Sequence, residues 1–382
     1  MKISVLCFDL SDNAAGRADL LARLLAPRYE VEVVGPRFGP AVWAPIRSGP
    51  VVYKSLPGFR YPRFVAALPA LLRLADGELL YASKPRPTSY GLGLLKHALT
   101  RRPLLLDIDD WETGFFYRSG LGGRIGRGLN LSNPNGLPWT WLMERLTGLT
   151  PFRTVASRFL EARFGGLSIP HVRDLGSWQA TPTDPRVPRS HLGITTEKVV
   201  MFLGTPRRHK GVDDLAEALR WLDRPDVVLA VVGCDATSAT AQRLAAQSSH
   251  VRCVGEIPFS AVPSYLALAD VVAVPQRRGP DTLGQVPAKL FDAMALGRPI
   301  VSTRVSMIPE ILDGCGLLVE PGDAEALSRA IAYLLDHPAE AEELGARARA
   351  RAEDRYSYAA ARAVLFPLVE RAIGSRGSRV RA

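Results

Sequence analysis

In the stretch DTLGQVPAKLFDAMALGRPIVST, residues 281–303, Lys289 and Asp292 stand three apart on a segment whose punctuation predicts a short helix between a loop and a strand. Gly284 and Gln285 form the loop, Pro287 takes the first helical position, and Gly297 followed by Pro299 closes the helix. At about 100° per residue Leu290, Ala293 and Met294 share one face that can bury against a sheet, while Lys289 and Asp292 lie roughly 60° apart on another. Free backbone N–H groups at such a helix start, added to the positive end of its dipole, suit a phosphate. A carboxylate one turn further in suits a ribose diol. The competing interpretation is an ordinary surface helix with an i,i+3 ion pair.

A second cluster is PLLLDIDDWE at 103–112, where three leucines run into Asp107, Asp109, Asp110 and Glu112. Crowded carboxylates repel one another, so a strand end with no like number of neighbouring cations must hydrogen-bond some of them or hold a raised pKa. That expense points to use. The structural alternative has Asp110 capping the next turn and Asp107 satisfying backbone N–H groups. A third cluster, PRRHKG at 206–211, follows the apolar run VVMFLGT and places Arg207, Arg208 and Lys210 at a strand's carboxyl end, ready for a diphosphate. Lys84 and Arg86 stand just past another strand end, where open α/β sheets bind ligands; solvated loop charges are the alternative.

The chain that positions these residues is globular in composition, 47% apolar and 23% charged over 382 residues, which is long enough for two domains. No run approaches ~18 apolar residues, and MKISVLCFDL enters a strand without a signal-peptide n-region, so a cytoplasmic protein is expected. Cys7, Cys234, Cys253 and Cys315 are scattered in or beside apolar runs, and neither they nor the histidines show ligand spacing. Reduced core cysteines and no metal follow. The net charge of +10 favours anionic partners, but no aromatic-interleaved basic ribbon accompanies it, which sets nucleic acid aside.

Strand and helix patterns alternate along the chain: ISVLCFD, ADLLARLLA, VEVVGP, the helix FVAALPALLRLA kinked at Pro69, ELLYAS, a strand at 154–156 and a helix at 157–165. Such βα units imply parallel sheets with helices on both faces. Gly16, near the first helix start, either lets a ligand approach the backbone or makes a tight turn. Residues 115–145 read as one long loop, in which Phe115, Phe116, Trp139 and Trp141 with Arg118, Arg124 and Arg127 make an interfacial patch or pack into an interdomain cleft. QATPTDPRVPRS reads as a linker, after which the same grammar restarts.

Taken in order, FLGTPRRHKG, VVGCD, VRCVGEI, YLALADVVAVP, PAKLFDAMALGRPIVST, EILDGCGLLVEPGD and ALSRAIAYLL resemble the nucleotide-sugar domain of the family 4 glycosyltransferases of GT-B fold over essentially its full length. The first half resembles that family more loosely, through its early glycine loop, DIDDWE, VASRFL and IPHVRD. The resemblance implies an α/β protein of two facing Rossmann-like domains with an interdomain cleft. Residues 1–175 would bind acceptor, 176–355 the nucleotide sugar, 356–373 would form a helix crossing back to the first domain, and 374–382 a basic tail.

By position, Arg207 or Arg208 with Lys210 resemble the basic pair that binds the donor diphosphate and stabilises the departing charge. Asp292 falls where the family grips the ribose, Gly255, Glu256 and Ile257 where its backbone reads the nucleobase, and Gln285 and Val286 where N–H groups meet the phosphates. Gly16, Asp281, Gly284 and Lys289 complete the expected donor set. Two positions depart from the pattern. The family's two glutamates, eight apart, become Gly284 and Asp292, so the usual acidic contact to the sugar is missing and Asp281 is the candidate to replace it. The family's histidine after the fourth strand becomes Asp109, which with Asp110 is expected to orient the acceptor hydroxyl or take its proton.

The implied activity is transfer of a sugar from a nucleotide diphosphate to a hydroxyl acceptor, lipid-linked or a cell-envelope saccharide, with retention at the anomeric carbon and without cofactor or metal. The leaving phosphate can itself take the acceptor's proton. The expected setting is cytoplasmic, with peripheral contact to the inner face of an anionic membrane if residues 115–145 form the interfacial patch and not the cleft packing. The rivals are a nucleotide-sugar epimerase or hydrolase on the same architecture, and a catalytically degenerate GT-B protein that binds nucleotide or a partner in a polysaccharide-assembly complex.

Overall fold

Strands form where apolar residues run without interruption, because parallel strands covered by helices on both faces are buried end to end. A computed structural model describes residues 1–117, 126–180 and 186–379, and the chain divides into two compact units. The first comprises Met1–Pro170, Leu283–Gln285 and Ala359–Ala382; the second comprises His171–Thr282 and Val286–Tyr358.

In the first unit the elements run β1 (Lys2–Leu6), α1 (Ala15–Leu25), β2 (Glu30–Arg37), β3 (Val52–Pro57), α2 (Arg63–Leu74), β4 (Leu79–Ser83), α3 (Leu92–Thr100), β5 (Leu104–Ile108), α4 (Leu137–Arg145), β6 (Phe152–Val155), α5 (Arg158–Phe164) and β7 (Leu167–Ser168). The seven strands are parallel in the order β3-β2-β1-β4-β5-β6-β7. The order reverses between β1 and β4, and the loops that leave their carboxyl ends are where such sheets hold ligands. Residues 115–145 are not a single loop: Leu137–Arg145 is helical, with Pro138 in its first turn where a missing N–H is harmless.

The second unit runs α6 (Leu175–Ala180), α7 (Arg186–Leu192), β8 (Lys198–Leu203), α8 (Val212–Leu222), β9 (Val227–Val232), α9 (Ala239–Gln247), β10 (Val251–Val254), α10 (Val262–Leu268), β11 (Val271–Val274), α11 (Ala288–Ala295), β12 (Ile300–Thr303), β13 (Leu317–Val319), α12 (Ala324–Asp336) and α13 (Pro338–Arg355). Its parallel order, β10-β9-β8-β11-β12-β13, reverses between β8 and β11. Alternation along β9 separates two cores. Val228, Ala230 and Val232 join Leu266, Leu290 and Phe291 on one face, while Val227, Leu229 and Val231 join Leu215, Leu219 and Leu244 on the other. The expected linker at 179–190 is replaced in part by structure, since α6 runs to Ala180 and α7 begins at Arg186; residues 181–185 lie outside the described set.

The final helix, α14 (Tyr358–Arg379), packs within the first unit. Phe366 meets the edge of Tyr29 at 6.2 Å between centroids, and Arg362 donates to the carbonyls of Arg23 and Leu24 near the end of α1. Those carbonyls are among the acceptors a helix end leaves without internal partners.

Candidate active site

In the second unit the loops after β8 and β11 carry the basic residues. Gly211 joins the single turn Arg208–Lys210 to α8 at φ +68°, and a Cβ there would lie 1.8 Å from the Pro275 carbonyl oxygen, so the turn needs glycine. It aims Lys210 back along the loop, where Nζ donates to the Thr205 carbonyl at 2.9 Å. Lys289 reaches the same place from α11: the Cβ position of Gly204 is 3.7 Å from Lys289 Nζ and 4.0 Å from Lys210 Nζ. Two amines therefore converge on one glycine turn. Lys289 is only 8% exposed, hydrogen-bonds to no group among the described residues and sits 3.3 Å above the centre of the Phe202 ring. Burial, with the charge of Lys210, holds its pKa well below the ordinary lysine value, and Asp292 only partly opposes this.

The exposed polar face expected on this helix is absent, because Lys289 through Ala295 are all buried. Asp292 does not pair with Lys289. Its carboxylate accepts from Nε of Arg173, a residue whose guanidinium also reaches the carbonyls of Val172 and Ala288. The Arg173 backbone is fixed in turn by Tyr356 and Tyr358. Burial outweighs Arg173 and leaves the Asp292 pKa raised. Asp281 is also buried, 3.3 Å from His209 Nδ1.

In the first unit the carboxylates of DIDDWE meet three buried cations, which corrects the expectation of a strand end short of positive charge. Lys84 Nζ lies 2.8 Å from Asp109, 2.6 Å from Asp110 and 2.8 Å from Glu112. Arg86 engages the other oxygen of Glu112 through Nε at 2.9 Å and through Nη2, and donates to Thr140 at 2.8 Å. Arg17 of α1 forks onto Asp107 at 2.9 and 2.8 Å, and Thr154 donates to the same carboxylate at 2.7 Å. Side chains, not backbone N–H groups, thus satisfy Asp107. Lys84 and Arg86 are 5% and 8% exposed, not solvated loop charges. Lys84 occupies a left-handed backbone position, φ +71°, uncommon for a residue with a side chain, and this turns it back over the strand ends.

The environments of these carboxylates differ. Burial pushes Asp109 up to about 7 against the pull of Lys84. Glu112 is equally buried, yet Arg86 and Lys84 hold it below its ordinary value. Among the described residues Asp109, Asp110 and Glu112 are the group with ligand atoms close enough for a metal ion, but Lys84 already stands within 2.8 Å of all three. A divalent ion would have to displace a buried ammonium.

Gln285, in the segment Leu283–Gln285 of the first unit, donates to Asp110 at 3.2 Å. Ser157 caps α5 and donates to the Gly284 carbonyl at 2.9 Å. A Cβ on Gly284 would meet the side chains of Leu160, Phe159 and Trp111 at 3.1 to 3.3 Å, so a larger residue at this position requires those neighbours to give by a few tenths of an ångström.

The remaining predicted residues are less closely assembled. Gly16 lies in the first turn of α1 with its Cβ position 3.2 Å from the Trp43 ring, which makes it a close-packing residue. Arg207 and Arg208 are exposed and line a cavity that does not include Lys210. Gly255 is half-buried, Glu256 exposed, and Ile257 rests against the core that contains α11; Val286 is buried. Of the aromatic patch, Phe116 lies against Arg86, and Trp139 donates to the Leu131 carbonyl with its ring 5.1 Å from Tyr61. Phe115 is half-buried, whereas Trp141 is 45% exposed with Arg145 stacked 4.6 Å from its ring. Arg127 is exposed; Arg118 and Arg124 lie outside the described residues. Arg17 and Arg173 escaped sequence reasoning. Their partners are 90 and 119 residues away, and the only local signal was an arginine in the junction IPHVRD.

The two sheets, their switch points and the clusters above define a GT-B architecture, and residues 197–337 match the family described as Glycosyl transferases group 1. Among curated relatives, the GDP-mannose-dependent monoacylated alpha-(1-6)-phosphatidylinositol monomannoside mannosyltransferase of Corynebacterium glutamicum is 33% identical over 47% of this chain and 49% of its own length. The GDP-mannose-dependent alpha-(1-6)-phosphatidylinositol monomannoside mannosyltransferase of Mycolicibacterium smegmatis is 32% identical over 54% of this chain and 58% of its own. The matches thus span about half the length of these relatives. Among solved structures, Anabaena HepE in complex with UDP and glucose superposes with a TM-score of 0.73 at 19% identity, covering 97% of this chain and 99% of that one. Sucrose-phosphate synthase from Thermosynechococcus elongatus gives 0.70 at 18% identity, covering 98% of this chain and 100% of that one.

Proposed function

We propose that this chain is a glycosyltransferase that moves a sugar from a nucleotide diphosphate to a hydroxyl acceptor. The observation that carries the proposal is the convergence of Lys210 and the buried, unbonded Lys289 amine on the Gly204 turn. An ammonium taken out of water without an acceptor is unfavourable, and a diphosphate supplies both charge and acceptors. Both amines stand where negative charge collects as the sugar leaves, which is where fixed cations lower a barrier most. Asp292 would take a ribose hydroxyl beside its bond to Arg173. The relatives' names make GDP-mannose the first donor to test.

Asp109, Asp110 and Lys84 form the acceptor-side group in this account. With a pKa of about 7 Asp109 can orient a hydroxyl when protonated and accept its proton when ionised. The reaction proceeds with retention and needs no metal, Lys84 supplying the positive charge among the carboxylates. The acceptor is lipid-linked, as in the names of the relatives, and the first unit meets an anionic membrane through exposed Trp141, Leu142 and Leu149 beside Arg145. No helix among the described residues is long and apolar enough to cross a membrane.

One observation favours a second reading. Gly284 stands where the resemblance leads one to expect an acidic side chain, and its Cβ position is crowded by Leu160, Phe159 and Trp111, as it would be in a protein that binds nucleotide without turnover. A donor-consumption assay with GDP-mannose and a phosphatidylinositol mannoside acceptor, run with and without EDTA, separates the two. Turnover insensitive to EDTA is expected. Lys210→Ala should reduce it roughly 10²- to 10³-fold at an unchanged melting temperature; near-normal turnover in that variant would refute the assignment.

A further inference from the structure

Arginine meets a buried aspartate at several places in this chain, and the pair of Arg173 with Asp292 is built differently from the others. Arg17 spans both oxygens of Asp107 at 2.9 and 2.8 Å, and Arg277 spans both oxygens of Asp214. Asp19 takes Arg23 at 2.7 Å on one oxygen and the Tyr53 hydroxyl at 2.6 Å on the other. Those carboxylates are satisfied within the fold. Asp292, only 5% exposed, accepts from Arg173 Nε through Oδ1, and its carboxylate accepts no other hydrogen bond among the described residues. A carboxylate offers roughly four lone-pair sites, and a buried one with most of them unused is unfavourable.

The other nitrogens of Arg173 are engaged elsewhere in the second unit. Nη1 donates to the Val172 carbonyl at 2.8 Å and Nη2 to the carbonyl of Ala288, the first residue of α11, at 3.3 Å. The guanidinium lies against Trp178 and Phe259, 5.8 and 5.5 Å from their ring centres, and those rings meet each other at 5.6 Å. The backbone is pinned as well: the Arg173 N–H donates to the Tyr356 carbonyl at 3.0 Å, and its own carbonyl accepts from Tyr358 at 3.1 Å. Tyr356 in turn packs its ring on Phe291, the neighbour of Asp292, at 4.8 Å. Carbonyls fix the guanidinium within its plane and rings fix it across that plane.

We infer that Arg173 is a positioning residue for the nucleotide: it holds Asp292 by one oxygen so that the rest of the carboxylate receives the ribose hydroxyls, and preference for ribonucleotides over deoxyribonucleotides depends on it. The inference rests on the reading of Asp292 as the ribose ligand. A vicinal diol presents two O–H donors side by side, and an ionised acceptor makes each bond stronger than a neutral one would. Orientation decides the gain, because a hydrogen bond weakens steeply as it leaves its preferred angle. Phe259 stands two residues after Ile257, so the same guanidinium touches the segment expected to meet the base. An arginine with only a structural role would gain more by spanning both oxygens, as Arg17 does on Asp107.

The test is calorimetry on the full chain with GDP and UDP, each compared with its 2′-deoxy and 3′-deoxy forms. The readout is the ratio of ribo to deoxy affinity. The parent protein should prefer the ribonucleotide roughly ten- to hundredfold, and Asp292→Asn should remove that preference. Arg173→Lys keeps a positive charge beside Asp292 but lacks the plane that the carbonyls and rings hold, and it should lower the ratio at least about fivefold. Phe259→Leu leaves the ion pair and removes one ring, so it should move the ratio the same way by less, and it carries the test if Arg173→Lys does not fold. A purely structural role would lower the melting temperature of these variants and leave the ratio alone. A ratio retained in both variants while Asp292→Asn loses it overturns the inference and spares the ribose assignment. A parent ratio near one, a ratio that survives Asp292→Asn, or no binding of either nucleotide overturns both.

Discussion

Asp109 and Lys289 are opposite cases of one effect, since burial favours the neutral form of each. For Asp109 the sign is that of a raised acid: between the unfolded value near ~4 and about 7 the folded state holds the extra proton. The stability this contributes is present in full at low pH and is lost as pH rises through about 7. If the ionised form accepts the acceptor's proton, kcat/KM should rise with an apparent pKa near 7, and Asp109→Asn should abolish that limb. Lys84→Met should move it to higher pH, because Lys84 is what restrains Asp109. A profile unchanged in both variants would remove Asp109 from the reaction. Arg173 belongs to the same scale. Arg173→Ala leaves Asp292 buried without its partner and should destabilise the protein by about 3–5 kcal/mol in urea unfolding, whereas Arg173→Met with Asp292→Leu should recover most of that loss. A loss under ~1 kcal/mol in the single variant would show the pair to be incidental.

At the scale of elements, the turn between β8 and α8 shows how backbone geometry serves chemistry. Gly211→Ala must relieve a 1.8 Å contact with Pro275 and a positive φ together, so the Lys210 loop has to move. About 1–3 kcal/mol of stability should be lost, with a fall in turnover larger than the melting shift explains; parent-like kinetics would show that the loop is not held by this turn. Elements of this kind were legible in part. β1, β4, β8 and β9 could be read from the sequence because strands covered on both faces are nearly unbroken apolar runs. The helix Leu137–Arg145 was hidden in a Gly- and Arg-rich stretch because Pro138, a helix breaker elsewhere, sits at its start. The burial of Lys289 was hidden too. Lys289 and Asp292 lying roughly 60° apart, off the apolar stripe, says nothing of a helix that is covered on every side.

At the scale of the molecule, each unit repeats one device: a parallel sheet whose order reverses once, with charged residues on the loops leaving the strands at that reversal. The motif order of the second half was enough to place its residues along the chain, because the basic loop, Asp292 and the glycine stop follow one another locally. The cation partners of DIDDWE were not, since Arg17, Lys84 and Arg86 come from other elements and meet the carboxylates only through the fold. The net charge of +10 includes these buried cations, so it is not a measure of surface basicity alone. The central claim is that Lys289 and Lys210 form a diphosphate site, and Lys289→Met tests it most directly. A thermal-shift and calorimetric comparison with GDP, UDP and ADP should show that one nucleotide raises the melting temperature of the parent protein by mass action. The variant should melt no lower than the parent, because a buried amine becomes an apolar group, and should bind that nucleotide roughly 10- to 100-fold more weakly. Nucleotide binding should also take up a proton in the parent and not in the variant, as an anion restores the charge of Lys289. No shift with any nucleotide, or equal affinity in the two proteins, would contradict the account.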